Sequence, residues 1–162
     1  MRKIYIVGIV ASGKTTMAKL LSKTLNIPFY ELDCVVYVKN KNGRYKRTPA
    51  EQVQEINRID KEGNWIFEGT YRESYKCVFD LADEIIFLDP PLRIRKLRIL
   101  LRYFKQKLRI EPCHYKSDIK MLKLMYKWTN DFELNRQEFE NILEMYKDKL
   151  IRISRINEYH TT

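Results

Sequence analysis

The segment Gly8-Ile9-Val10-Ala11-Ser12-Gly13-Lys14-Thr15 constrains this chain more than any other, because it fills every fixed position of G-x-x-x-x-G-K-[ST]. Its setting fits the motif. Lys3 to Val7 is a short β-branched run that reads as a buried strand. Lys14 to Leu25 places apolar residues at Met17, Leu20, Leu21 and Leu25, the spacing of an amphipathic helix. The glycines let the backbone N–H groups of Gly8, Ala11, Ser12 and Gly13 turn inward, and the helix start adds partial positive charge, so such a loop holds phosphate. Lys14 is expected to reach the β- and γ-phosphates of a nucleoside triphosphate, Thr15 to ligate Mg2+, and Thr16 to donate to the α-phosphate.

Beyond the loop the chain alternates strand and helix signals. Pro28 to Leu32 reads as a second strand that ends at Asp33. A hairpin is expected over Val35 to Lys41, an Asn42-Gly43 turn, and Arg44 to Arg47. Thr48-Pro49-Ala50-Glu51 is a capping box with proline at the first helical position, opening a helix to about Lys61 that Gly63 stops. Asn64 to Glu68 and Glu84 to Leu88 are further strands, and Leu150 to Ile153 is a fifth. Pro90-Pro91 precedes a long basic helix reaching about Lys107, and two more helices are expected over about Ser117–Asn130 and Phe132–Lys147. Strands alternating with helices over 162 residues imply one α/β domain with a parallel sheet. Phe29, Trp65, Phe67 and Phe87 read as core, as do Tyr126, Trp128 and Phe132.

The formal charge of +10 is concentrated: residues 92–127 hold 12 Lys/Arg against 2 Asp/Glu. Such a field attracts polyanions, and a nucleotide serves as well as DNA. No apolar run approaches the length of a membrane span, and the apolar start Ile4 to Val7 is too short for a signal segment. Cys34, Cys77 and Cys113 form no CxxC pair, so neither a disulfide framework nor a zinc site is expected, even with His114 beside Cys113. A cytoplasmic setting is the default.

Several segments together carry a family resemblance. Lys3 to Thr16, Glu31-Leu32-Asp33, Glu68 to Tyr71, and Ile85 to Pro91 with its following arginines resemble the small P-loop kinases related to adenylate kinase. Within that class the DNA topology modulation proteins look most similar, on Met121 to Glu133 as well. The resemblance implies a P-loop NTPase three-layer sandwich over residues 1–162, with five parallel strands in the order 2-3-1-4-5. It also implies an acceptor-binding insert over 35–63 and a short helical lid over about 103–117. Glu68-Gly69 stands where adenylate-kinase relatives have Asp-Gly, so Glu68 is the expected second holder of Mg2+, one methylene longer than Asp. Arg72 resembles the arginine that grips an acceptor's phosphate.

Asp33 is expected to bind the acceptor hydroxyl, or else to cap a turn. The basic hairpin Arg44, Lys46 and Arg47 either meets an anionic acceptor or is a solvated loop. Counted from Asp89, Arg98 and Arg102 fall at the adenylate-kinase offsets; in relatives one such arginine lies over adenine and the other reaches phosphates. Arg95, Arg98 and Arg102 share one helix stripe, and Ile94, Leu97, Leu101, Phe104 and Leu108 form an adjacent apolar stripe expected to pack on the sheet. Shikimate kinases usually show Asp-x-Asp and a triple-glycine segment, and neither is present.

The expected activity is therefore transfer of the ATP γ-phosphoryl group to an unidentified small acceptor, with ATP and Mg2+ bound and Lys14, Asp33, Arg72, Arg98 and Arg102 as catalytic groups. A nucleotide-responsive DNA-binding protein is the rival and the less favoured reading, because no recognition-helix or zinc-finger pattern is present. No membrane partner is expected, and the chain is a monomer or a dimer.

Overall fold

The computed structural model describes residues 1–40, 43–108 and 118–159. Five strands build the central sheet: β1 (Lys3–Val7), β2 (Phe29–Glu31), β5 (Trp65–Gly69), β6 (Glu84–Leu88) and β7 (Leu150–Ile153). They run in the order β2-β5-β1-β6-β7, and every pairing is parallel. This is the expected 2-3-1-4-5 order. A separate antiparallel pair, β3 (Tyr37–Asn40) and β4 (Gly43–Lys46), forms the hairpin. Asn42, at its turn, lies outside the described residues.

Strand alternation divides the interior into two layers of packing. Tyr5, Val7, Trp65, Phe67, Ile85 and Phe87 face one side. There they meet α2 (Leu32–Val36), α3 (Pro49–Lys61), α4 (Cys77–Leu81) and α7 (Arg136–Glu144) through residues such as Ile56, Phe79 and Phe139. Ile4, Ile6, Ile66, Ile86 and Leu88 face the other side, where Met17, Ala18 and Leu21 of α1 (Lys14–Leu25) cover them. Two helical layers around a parallel sheet make this the three-layer α/β sandwich of P-loop NTPases. The Thr48 capping box closes as its sequence implies: Glu51 Oε2 accepts from the Thr48 N–H at 2.7 Å while the Glu51 N–H donates to Thr48 Oγ1 at 3.3 Å.

Four expectations are corrected. Residues 32–36 form the short helix α2, so β2 stops at Glu31, the hairpin begins at Tyr37, and Asp33 sits in a first helical turn. A short apolar Leu-x-x-Val-Val run fits either a strand or a buried helical turn, and here Leu32, Val35 and Val36 reach the core at helical spacing. Helix α6 (Ile119–Leu134) runs past Asp131, and the break before α7 falls at Asn135. Trp128 is exposed rather than core.

The fourth correction concerns α5 (Leu92–Lys107). Its stripe of Ile94, Leu97, Leu101, Phe104 and Leu108 does not pack on the sheet; these side chains are 41, 53, 49, 53 and 69% exposed. The helix instead buries Arg95 and Ile99 toward α6, which has its own packing on α7. The lid expected over about 103–117 starts inside α5; residues 109–117, with Cys113 and His114, lie outside the described residues. No described helix is long and apolar enough to cross a membrane.

Candidate active site at the carboxyl edge of the sheet

The strand register brings the site together before any side chain is considered. Ile6 pairs with Glu68 and Val7 with Gly69, so the loop leaving β1 emerges beside the end of β5. Gly13 has φ 108° and Ala11 φ 59°, left-handed conformations that turn successive N–H groups to one side. Ala11 adopts this state despite its Cβ, a strain of about 1 kcal/mol or more that the loop must impose. Gly8 is required by close approach: a Cβ there would stand 2.6 Å from the Leu88 carbonyl oxygen and 2.8 Å from Ser12 Oγ.

Inside this turn, Lys14 Nζ donates to the Ile9 carbonyl at 3.0 Å, which holds the ammonium across the loop. Burial pulls its pKa below the ordinary lysine value; Glu68 and Asp33 oppose that shift, and Arg102 adds to it. The Thr15 hydroxyl donates to Glu68 Oε1 at 2.6 Å. Glu68 is buried, and its pKa is raised by desolvation against the opposing effects of Lys14 and Thr15, with Glu31 and Asp33 pushing it further up. Ser12 Oγ is buried with no hydrogen-bond partner. An orphaned hydroxyl, inward-turned amides and a hydroxyl–carboxylate pair suit a phosphate chain with a divalent cation. Among the described residues no three acidic, His or Cys side chains converge into a protein-only metal site.

Arg98 reaches the loop from α5. Its Nη1 donates to the Ser12 carbonyl at 2.6 Å and lies 3.3 Å from that of Ala11. Arg102, one turn further along, is half-buried among Ile99, Asp118 and Met121. Thr16 is exposed at the start of α1. Across the edge, Arg72 Nη2 pairs with Asp33 Oδ1 at 3.1 Å, and the Asp33 side chain is 71% exposed. The structure thus brings Gly8, Ala11, Ser12, Gly13, Lys14, Thr15, Glu68 and Arg98 into one cluster and sets Asp33 with Arg72 beside it.

Arg95 departs from its two companions. It is 1% exposed, its Nε donates to the Pro90 carbonyl at 3.0 Å, and its guanidinium pairs with Glu133. Glu133 also meets Arg136, which clasps Asp89 at the end of β6 and reaches Glu140. These bridges fasten α5, the carrier of Arg98, to the α6–α7 junction. The clamp was missed in the sequence, although Arg95 lies one turn before Ile99 on the face that α6 covers. Glu31 was missed too: as the register partner of Glu68 it adds a third carboxylate to this edge.

A phosphate-binding loop on a strand–helix junction, with its Thr15 hydroxyl hydrogen-bonded to Glu68 on the neighbouring strand, defines a P-loop NTPase fold. A shikimate kinase of Flavobacterium psychrophilum is 53% identical over 76 residues, 47% of this chain and 38% of that protein. The chain's matches span less than two fifths of the length of the curated relatives, all shikimate kinases. Among solved structures, a gluconokinase from Sinorhizobium meliloti 1021 superposes with TM-score 0.54 at 14% identity, covering 97% of this chain and 86% of that one. A shikimate kinase from Acinetobacter baumannii, solved with shikimate, gives TM-score 0.55 at 14% identity over 88% and 80%. These likenesses show the shared fold. No protein-family model matches the chain.

Proposed function

We propose that this protein is an ATP- and Mg2+-dependent kinase that phosphorylates a hydroxyl group of a small molecule. One observation carries the reading: Glu31 is the register partner of Glu68, so Asp33, just beyond Glu31 and paired with Arg72, stands at the same sheet edge as the loop. A carboxylate able to orient an acceptor therefore adjoins the groups that hold the donor. The local similarity to shikimate kinases supports the class of acceptor, a small hydroxylated molecule. Shikimate itself is less favoured, since Val35 occupies the second acidic position of an Asp-x-Asp and is buried in the core.

In this reading Lys14, the loop amides and Ser12 hold the phosphate chain, and Thr15 with Glu68 holds Mg2+. Mg2+ held there would neutralise charge on the phosphate chain. Asp33 accepts a hydrogen bond from the acceptor hydroxyl and takes up its proton as the acceptor oxygen bonds the γ-phosphorus and ADP leaves, Arg72 fixes that carboxylate and the acceptor's polar groups, and Arg98 with Arg102 offsets charge developing on the transferred group. DNA contact through residues 92–127 loses support, because Arg95 is buried and Arg98 is bound to the loop. The test is ADP release from Mg2+-ATP across a panel of polyols, hydroxy acids and nucleosides. Acceptor-dependent release, abolished in Lys14→Ala, supports the proposal; ATP binding with no acceptor-dependent release across the panel argues against it.

A further inference from the structure

The outward face of α5 is left unused by the proposed chemistry. Ile94, Leu97, Leu101, Phe104 and Leu108 follow a 3-4-3-4 spacing, the a/d pattern of a heptad, and all five are exposed. On a helix of 3.6 residues per turn they occupy an arc of about 80° along roughly 21 Å. The opposite face is already taken, since Ile99, Tyr103 and Gln106 turn toward Met121, Leu122 and Met125 of α6.

We propose that this stripe is a docking seam for one amphipathic helix of a partner protein, a helix flanked by acidic residues. The width of the stripe argues for a helix: an apolar arc this narrow matches a coiled-coil seam, whereas a helix lying in a membrane surface or on a core shows a broader apolar face. The flanks select the partner's charge. Lys105 borders the stripe on one side and Arg93 on the other, with Lys107 just beyond, and α5 contains no Asp or Glu.

A second copy of this chain is a poor occupant for the same reason. Antiparallel pairing of two α5 helices sets Arg93 against Lys107, and in either orientation two copies bring only bases to the flanks of the seam. Glutamates at the partner's e and g positions satisfy all of these bases. The stripe's apolar centre also suits a helix better than a phosphate backbone.

The experiment uses the full chain and a fluorescent helical peptide of about three heptads with Leu at a and d and Glu at e and g. Anisotropy is expected to show saturable binding near micromolar Kd, weakening as salt rises. Replacing the Glu with Lys, or using Leu101→Gln/Phe104→Gln protein, is expected to weaken binding at least tenfold. Neither side chain touches the P-loop, so unchanged ATP affinity certifies that the variant is folded. The proposal is overturned by no saturable binding, by equal binding of the Lys peptide, or by a variant that binds as well as wild type. It is equally overturned if sedimentation shows a dimer that the double variant dissolves, or if anionic phospholipid vesicles are bound and the peptide is not.

Discussion

Removing the Glu133 carboxylate isolates the energetic role of the buried clamp on α5. In Glu133→Ala the Arg95 guanidinium, 1% exposed in the native protein, loses its carboxylate partner and keeps the hydrogen bond from Nε to the Pro90 carbonyl. Breaking a buried pair by deleting one partner costs about 3–5 kcal/mol, because the remaining charge is uncompensated. Glu133 is itself 30% exposed, so water reaches the vacated space and a cost somewhat below that range, about 2–3 kcal/mol, is expected. For a domain of this size that is a fall in Tm of roughly 4–12 °C.

Arg95→Met removes the charge and keeps a long apolar chain. It should lie within about 1 kcal/mol of wild type, and the double variant should resemble it, leaving a coupling of about 1.5 kcal/mol or more. Urea denaturation of the four proteins measures each corner of the cycle. A Glu133→Ala cost below about 0.5 kcal/mol, or an Arg95→Met variant less stable than Glu133→Ala, would refute the reasoning.

Gly8→Ala forces a Cβ against the Leu88 carbonyl and should cost about 1–3 kcal/mol while abolishing ATP binding, measured by calorimetry and thermal shift. Glu68, whose pKa is raised by burial, must ionise to hold a cation; Mg2+-dependent ATP affinity should therefore fade on acidification at a higher pH than an ordinary glutamate would give, and Glu68→Gln should erase that pH dependence. Asp33→Asn should lower kcat by roughly a hundredfold or more with ATP affinity intact, and Arg72→Ala should raise the acceptor KM more than it lowers kcat, both read from steady-state kinetics. Glu140 is held below the usual carboxylate value chiefly by its hydrogen bond from Arg152, so its stabilisation is complete above the unfolded value near 4.5 and is lost as pH falls through the lower folded value; Arg152→Ala should flatten that part of the stability–pH curve.

Much of the fold and the donor half of the site can be read in the sequence, for identifiable reasons. Gly8 to Thr15 imposes a strand, a turn and a helix on its neighbours, and β-branched runs such as Glu84 to Leu88 have little alternative to buried strands. The 3-4-3-4 stripe of α5 misled because periodicity reports which residues share a face and is silent about what covers that face. The same helix hides a charge at Arg95, whose burial depends on Glu133, 38 residues away. Tertiary pairing of that kind has no local signature. Helix α2 shows a related limit: five residues are too few to reveal a period, so Asp33 moved from a strand end to a helical turn while keeping its place at the sheet edge.

Phosphoryl transfer at the carboxyl edge is tested most directly by following 32P from [γ-32P]ATP into acceptor across the hydroxylated panel, with wild type, Lys14→Ala and Asp33→Asn in parallel. Wild type should give a labelled small-molecule product, Lys14→Ala none, and Asp33→Asn a much slower appearance of label. Wild-type protein that binds Mg2+-ATP yet labels no acceptor, or an Asp33→Asn variant as fast as wild type, would contradict phosphoryl transfer at that edge.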